Sequence, residues 1–170
     1  MKSLKVADYE AIAKLDGVKA ASPMTNGGYV VIYQNKNWTT SVSGVSYNYL
    51  DVNNWSMKSG RFLSEKNVQN RERVAVVGKT VVKNLFGDED PVGKEIRVKN
   101  IPFRIIGVLN SKGSGAMGND QDDMVIIPYT TAMERVDGID YLRMIYVVGK
   151  DENGIDRLQS DIENLLRVRH

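Results

Sequence analysis

The sequence predicts an α+β fold in which helices and strands follow one another irregularly. Short β-rich runs are bounded by glycine, proline and asparagine, and helical periodicity marks both ends of the chain. The order of these segments lacks the strict strand–helix–strand repeat of a doubly wound sheet. Residues 1–46 and 110–170 are predicted to form one sheet-plus-helices unit, and residues 47–109 a smaller α/β unit inserted into it.

The first third begins with a predicted helix and continues into a hairpin. Apolar side chains near residues 7–15 fall toward one side of a helix, and Asp16-Gly17-Val18 is a typical helix stop. Tyr29–Gln34 and Trp38–Val45 are β-rich runs on either side of a polar turn. This arrangement predicts a β-hairpin.

The middle third predicts a strand, a helix and a second hairpin. Arg73–Gly78 has the composition of a short buried strand, and Lys79–Gly87 that of a short helix closed by glycine. The segments EIRVKN and IPFRIIGVL, which follow directly, predict the hairpin.

The last third predicts two strands and two helices. Met124–Pro128 and Leu142–Gly149 are the strands, and between them Thr131 and Glu134 fit a capping box that would start a helix. The final helix is predicted from an apolar stripe formed by Ile155, Leu158, Ile162, Leu165 and Leu166.

Composition excludes several classes of function. The 170 residues include no cysteine, which excludes thiolate chemistry. The only histidine is His170, the last residue, which argues against a multi-histidine metal site and a Ser-His-Asp triad. The net charge of +2 without a basic stripe argues against nucleic-acid binding. No apolar run approaches the roughly 18 residues of a membrane span. Both ends fall inside helical patterns, so we expect a piece of a longer protein.

Two glycine-rich segments resemble phosphate-binding loops, and neither meets the requirements. Gly113–Gly118 fits G-x-G-x-x-G, but a strand follows where the dinucleotide site needs a helix N-terminus. Gly87–Glu95 differs from the P-loop in glycine spacing and has Glu95 where Ser or Thr would hold magnesium. We therefore predict no cofactor and interpret Gly113–Gly118 as part of a long surface loop.

Acidic clusters at residues 88–90 and 120–123 could recruit calcium, but neither has the EF-hand order, and the simpler interpretation is a solvated loop. The sequence thus predicts no catalytic, cofactor-binding or metal site. The two tryptophans, Trp38 and Trp55, could each anchor a partner or pack in a core. Three arginines in or beside residues 47–109 could bind an anion or pair with nearby acids such as Glu65 and Glu72: Arg61, Arg71 and Arg73.

A series of loose motifs in a specific order resembles a known family. The motifs lie in Ser59–Asn67, Arg73–Gly113 and Asp122–Gly138, and include GRF, VVG, LFGDEDPVGK, IGV and IIP. The closing ENLLRVRH also fits. Together these segments resemble the MacB-type periplasmic core domain of ABC transporter permeases, in the FtsX-like permease superfamily. One departure is Lys5, where the family often has a threonine cap.

The resemblance implies a porter-like subdomain, residues 1–46 and 110–170, with an inserted small α/β, Sabre-like subdomain, residues 47–109. It implies a location on the extracytoplasmic side of the bacterial membrane, anchored by transmembrane helices of a homodimeric permease. An ABC ATPase, fused or separate, would drive the permease, and a membrane-fusion adaptor protein would contact the domain. Partner contact is expected at the glycine-rich loop and the inserted unit, with the candidate residues Ser114, Met117, Asn119 and Trp55.

Two other functions stay open at this stage. Within the same family, a mechanotransducing permease domain would regulate a cell-wall hydrolase or sense a peptide. Outside it, a free-standing soluble enzyme would use aspartate or glutamate side chains.

Overall fold

The structure, a computed structural model, describes residues 3–112 and 120–170. Eight strands share one hydrogen-bonded sheet, which confirms the predicted α+β class. In chain order they are β1 (Val18–Tyr33), β2 (Lys36–Val45), β3 (Met57–Gly60), β4 (Val74–Val77), β5 (Glu95–Val98), β6 (Ile101–Leu109), β7 (Met124–Pro128) and β8 (Met144–Gly149).

The long hairpin of β1 and β2 confirms the first predicted hairpin. A two-residue turn joins the strands, with Gln34 at a φ of 54°. β1 begins at Val18, well before the predicted start at Tyr29. Its first half, up to Met24, pairs with β8, while the second half pairs with β2. The residue pattern alone does not predict this early half, because its lysine, alanines and proline are poor strand formers and only the distant strand β8 holds them extended.

Six of the strands close into a ring. Neighbouring pairs follow the order β2-β7-β4-β6-β5-β1, and β1 returns to β2 through the hairpin. The β2–β7 and β4–β6 pairs are parallel, whereas the other pairs in the ring are antiparallel. β3 adds to β6 and β8 adds to β1 outside the ring. Closure leaves these six strands fewer unpaired edges than an open sheet would have.

Within the described residues, six α-helical segments pack around the sheet and a short 3-10 helix, Glu152–Gly154, precedes the last of them. Of the α-helical segments, all except α2 and α3 fall in predicted helical regions. In chain order they are α1 (Val6–Ala13), α2 (Tyr49–Asn53), α3 (Glu65–Gln69), α4 (Lys79–Leu85), α5 (Tyr129–Thr131, continuing as a π-helix over Ala132–Asp137) and α6 (Ile155–Arg169). Gly87, at a φ of 63°, ends α4 as predicted, and its N–H donates to the Val82 carbonyl.

The predicted capping box at Thr131 is wrong. Pro128 precedes the helix with extended backbone, so α5 begins at Tyr129 and Thr131 already has helical dihedral angles. The Thr131 hydroxyl instead donates to the Glu72 carbonyl at 2.8 Å. A contact with a distant segment therefore takes the side chain that the local pattern assigned to a cap.

Two apolar clusters fill the two faces of the ring strands. All six ring strands contribute to the first, which contains Phe103 and Ile96 and is joined by Leu85 from α4. The second, on the opposite face, contains Val76 and Ile126 and takes in α2. β4, β6 and β7 are thus buried on both faces, which explains their nearly continuous apolar sequences.

A third cluster ties both terminal helices to the sheet. Ile12 of α1 and Leu158 of α6 pack with Val18 and Ala21 of β1, while Val147 of β8 lies against them. Strands from residues 47–109 bond to the rest of the sheet at the β4–β7 and β1–β5 boundaries. The division into two subdomains stays a prediction.

Candidate functional site

Trp55 lies beside the end of β6, next to the described residues that precede positions 113–119. Asn54, at a φ of 50°, reverses the chain after α2 and places the indole beside the end of β6. The indole N–H donates to the Asn110 carbonyl at 2.9 Å, and the Lys112 ammonium lies 4.8 Å from the ring centroid. Three predicted contact residues lie outside the described residues: Ser114, Met117 and Asn119.

A groove of about 500 Å³ opens beside the Trp55 ring. Leu50 and Val148 supply apolar walls, while Lys19 and Asp51 supply charges of both signs. The ring is half-buried and packs against the second core cluster. Trp55 therefore packs against the core and also lines an accessible groove, while its role as a partner anchor stays a prediction.

The acidic residues that follow positions 113–119 act as hydrogen-bond acceptors, and we call the described residues 110–112 and 120–123 the loop base. Asp122 accepts from the Ser111 hydroxyl at 2.8 Å and from the Lys112 N–H at 2.6 Å. Asp120 accepts from the Thr80 hydroxyl and from the Asp122 N–H. The carboxylates thus bind both sides of the loop base and the start of α4, so charges that the sequence offered as calcium ligands serve as structural hydrogen-bond acceptors.

Asp123 extends this network to the hairpin. One of its oxygens accepts from the Trp38 indole N–H at 2.8 Å and from the Thr40 hydroxyl at 2.7 Å. In the other acidic cluster, Asp90 accepts from the Val92 N–H, as expected of a turn. Within residues 3–112 and 120–170, no group of three or more acidic or histidine side chains has an arrangement that could hold a metal ion.

The Trp38 and Trp55 hydrogen bonds differ in acceptor charge, which gives a matched test. Trp55→Phe removes a bond to a neutral carbonyl, so we expect a loss of about 0.5–1.5 kcal/mol in the free energy of unfolding. Trp38→Phe removes a bond to a carboxylate and should cost about 1.5–3 kcal/mol. Urea titration of each variant, monitored by the fluorescence of the remaining tryptophan, measures both losses. A larger loss in Trp55→Phe than in Trp38→Phe would contradict this account.

The arginines pair differently from expectation. The Arg71 guanidinium lies 3.0 Å from Glu134 of the π-helix, not beside Glu65 or Glu72. Arg61 donates to the Asn67 amide oxygen at 3.4 Å. A sequence-local search missed the Arg71 contact because its partner lies 63 positions away along the chain.

A buried carboxylate joins the two terminal helices. Asp8, in the first turn of α1, is only 2 % exposed. It accepts from the Arg169 guanidinium at 2.7 Å, contacts the His170 ring at 2.9 Å and accepts from the Lys5 N–H at 2.8 Å. We call Asp8, Arg169 and His170 the terminal cluster. It fixes the start of α1 against the end of α6.

The terminal cluster alters the titration of Asp8. Burial alone would raise the pKa of the carboxyl, but the hydrogen bonds from Arg169, Lys5 and His170 outweigh it and lower the pKa to about 2. The carboxylate is therefore charged at neutral pH. Sequence analysis missed this cluster, because the partners are more than 160 positions apart and no local pattern links them.

The comparisons place the chain in one family. The model of the MacB-like periplasmic core domain matches residues 1–165. The macrolide export ATP-binding/permease protein MacB of Rhodospirillum rubrum is 42 % identical over 170 residues, and that of Marinobacter nauticus 37 % over 168 residues. Each alignment covers 99 % of this chain and 26 % of the relative, so the chain spans about a quarter of their length.

Solved structures agree in fold. The periplasmic region of MacB from Actinobacillus actinomycetemcomitans superposes with a TM-score of 0.89 at 26 % identity, covering all of this chain and 76 % of that one. The extracellular domain of the transporter YknZ has a TM-score of 0.86 at 20 % identity, covering 99 % and 84 %. Among the described helices, none combines the length and apolar character that a bilayer span requires. The chain belongs to the MacB-like periplasmic core domains, the extracytoplasmic part of an ABC-type transporter permease.

Proposed function

We propose that this domain transmits ATP-driven motion of membrane helices to the export of a substrate on the extracytoplasmic side, without catalysing a reaction itself. In the intact homodimeric permease it lies between the first and second of four transmembrane helices. An ABC ATPase, fused or separate, drives the cycle. The observation that carries this proposal is the terminal cluster, in which Asp8 of α1 binds Arg169 and His170 of α6.

The terminal cluster suits such transmission because it holds together α1 and α6, the two helices that the flanking membrane helices would adjoin. A displacement of either flanking membrane helix reaches both α1 and α6. Ile12 and Leu158 then carry it into β1 through the third apolar cluster. Packed interfaces of this kind move as rigid bodies, so the domain swings as a whole.

The other end of this transmission is a partner protein. We propose a membrane-fusion adaptor that contacts the loop around residues 111–123 and the groove beside Trp55. The loop base is held by Asp120 and Asp122, so a force on the loop reaches β7 and α4 through a defined set of hydrogen bonds.

Spin-label distances in the full-length permease test this proposal. The domain has no native cysteine, so Val30→Cys, at a position 49 % exposed on β1, provides one label per protomer in a background freed of other cysteines. We expect the distance between the two labels to change when ATP is bound. A permease unable to bind ATP is the control, and equal distances with and without ATP would contradict the proposal.

Co-purification with the full-length protein identifies the partner. An adaptor with a helical hairpin and a lipoyl-like domain supports export. A cell-wall hydrolase would instead show that the same motion serves mechanotransduction. Flanking sequence without transmembrane helices would exclude both functions.

A further inference from the structure

A groove of about 480 Å³ lies between α1 and α5, on a part of the surface separate from the Trp55 groove. Its apolar surface is formed by Val6, Tyr129, Met133 and Ile139. The volume falls within the range of small-molecule sites in proteins, roughly 300–1,000 Å³. Neither the terminal cluster nor the loop base contributes a residue to it.

Local backbone geometry brings these side chains together. Val6 and Glu10 are one helical turn apart on α1 and therefore share a face, as do Tyr129 and Met133 along α5. Gly138, at a φ of 63°, then reverses the chain. The Ile139 N–H donates to the Met133 carbonyl at 3.2 Å, which folds Ile139 back beside the groove.

The rim of the groove carries three carboxylates and one guanidinium, that of Arg71. Two of the carboxylates are ion-paired: Glu134 with Arg71 at 3.0 Å, and Asp140 with Lys5 at 3.1 Å. The third, Glu10, has no ion-pair partner in the described part of the chain. One uncompensated negative charge thus stands beside the apolar surface.

The surroundings of the groove alter the pKa of the Tyr129 hydroxyl. Burial, followed by the nearby Tyr9 and Glu10, raises this pKa to about 12. The Tyr129 ring packs edge-on against Tyr9 with centroids 6.0 Å apart. The groove offers an aromatic wall next to a carboxylate, which favours a ligand that is both apolar and positively charged.

We propose that this groove binds a small hydrophobic amine, with its apolar part against Tyr129 and Met133 and its ammonium group beside Glu10. Anions are disfavoured by the uncompensated negative charge of Glu10. A neutral molecule of the same shape would gain the apolar contacts but not the charge interaction. Binding at this groove needs neither ATP nor the membrane. A test of binding is therefore independent of the transmission that we propose above.

Binding of 4-phenylbutylamine to this 170-residue chain tests the proposal, with the neutral 4-phenylbutanol as a size-matched control. NMR titration of the methionine methyl groups and tyrosine rings reports where each probe binds. We expect the amine to bind in the millimolar range, at least fivefold more tightly than the alcohol, and to shift the Met133 and Tyr129 signals. This range follows from the limited affinity available to a ligand of so few atoms.

Variants separate the charge from the apolar contact. Glu10→Gln should weaken binding of the amine at least fivefold and leave binding of the alcohol unchanged, while Glu163→Gln on α6 should change neither. Met133→Lys places a positive charge in the groove, which would repel the ammonium group, and should therefore abolish amine binding. Equal affinities for amine and alcohol, an unaltered affinity in Glu10→Gln, or signal shifts elsewhere would overturn the proposal.

Discussion

Gly78→Ala is expected to lower the free energy of unfolding by about 3 kcal/mol, the upper part of the usual cost of overpacking. A Cβ atom at this position would stand 2.1 Å from the Asp122 carbonyl oxygen, which is backbone and cannot rotate away. The Gly78 N–H also donates to the Met124 carbonyl at 2.9 Å, and the Asp122 carbonyl accepts from Thr80. Relief of the clash would therefore separate α4 from the loop base.

The backbone of Gly78 makes this a test of contact alone. Its φ of −84° and ψ of 165° are ordinary for alanine, so no dihedral strain is added. Gly28→Ala is the matched control, since its Cβ would meet nothing within 4 Å, and we expect a change within about 0.5 kcal/mol. Urea denaturation followed by tryptophan fluorescence measures both. Similar losses in the two variants would refute the steric explanation.

Asp8→Asn is expected to destabilise the protein by about 2 kcal/mol at pH 7. The lowered pKa, from 3.8 to about 2, corresponds to roughly this energy at 1.36 kcal/mol per unit. The variant keeps the size of the side chain but loses the charge that binds Arg169 and His170. Because the Arg169 side chain is 35 % exposed, solvent screening makes this figure an upper value.

The same substitution should change the response to acid. The folded-state pKa of Asp8 lies below its unfolded value, so its stabilisation is fully present above about pH 4 and is lost as the pH falls toward about 2. The parent protein should lose this stability across that window, and Asp8→Asn should lack that part of the decline. Thermal unfolding between pH 2 and 7 measures the difference.

A surface ion pair provides the control for Asp8. Asp140 pairs with Lys5 at 3.1 Å, but its side chain is 86 % exposed, so Asp140→Asn should leave stability almost unchanged. If Asp140→Asn proved as damaging as Asp8→Asn, burial would not be the source of the effect. An acid profile of Asp8→Asn identical to that of the parent would equally contradict the account.

The elements predicted well are those whose signals are local. The β5–β6 hairpin follows from alternating apolar residues, and its turn at Lys99 and Asn100 uses two residues with positive φ. Helix α4 follows from the composition of Lys79–Gly87 and the closing Gly87. The first half of β1 could not be found this way, because β8, more than a hundred residues later, supplies its hydrogen bonds.

The candidate sites were predicted less well, for a related reason. Trp55 was selected as an aromatic residue able to anchor a partner, and it does border an accessible groove. The Asp8 contacts and the Arg71–Glu134 pair connect segments that are remote in sequence, so composition and spacing carry no signal for them. The groove between α1 and α5 likewise exists only after both helices have packed.

In the transmission that we propose, strand β1 would serve as a lever arm. Its 16 residues extend from the terminal helices to the hairpin tip, a length of at most about 50 Å at the usual rise per residue. A tilt of only about 10° at the Val18 end would carry Tyr33 sideways by roughly 9 Å over that length. If the domain moves as proposed, a small angular change beside α1 and α6 would become a displacement large enough to make or break contact with another molecule.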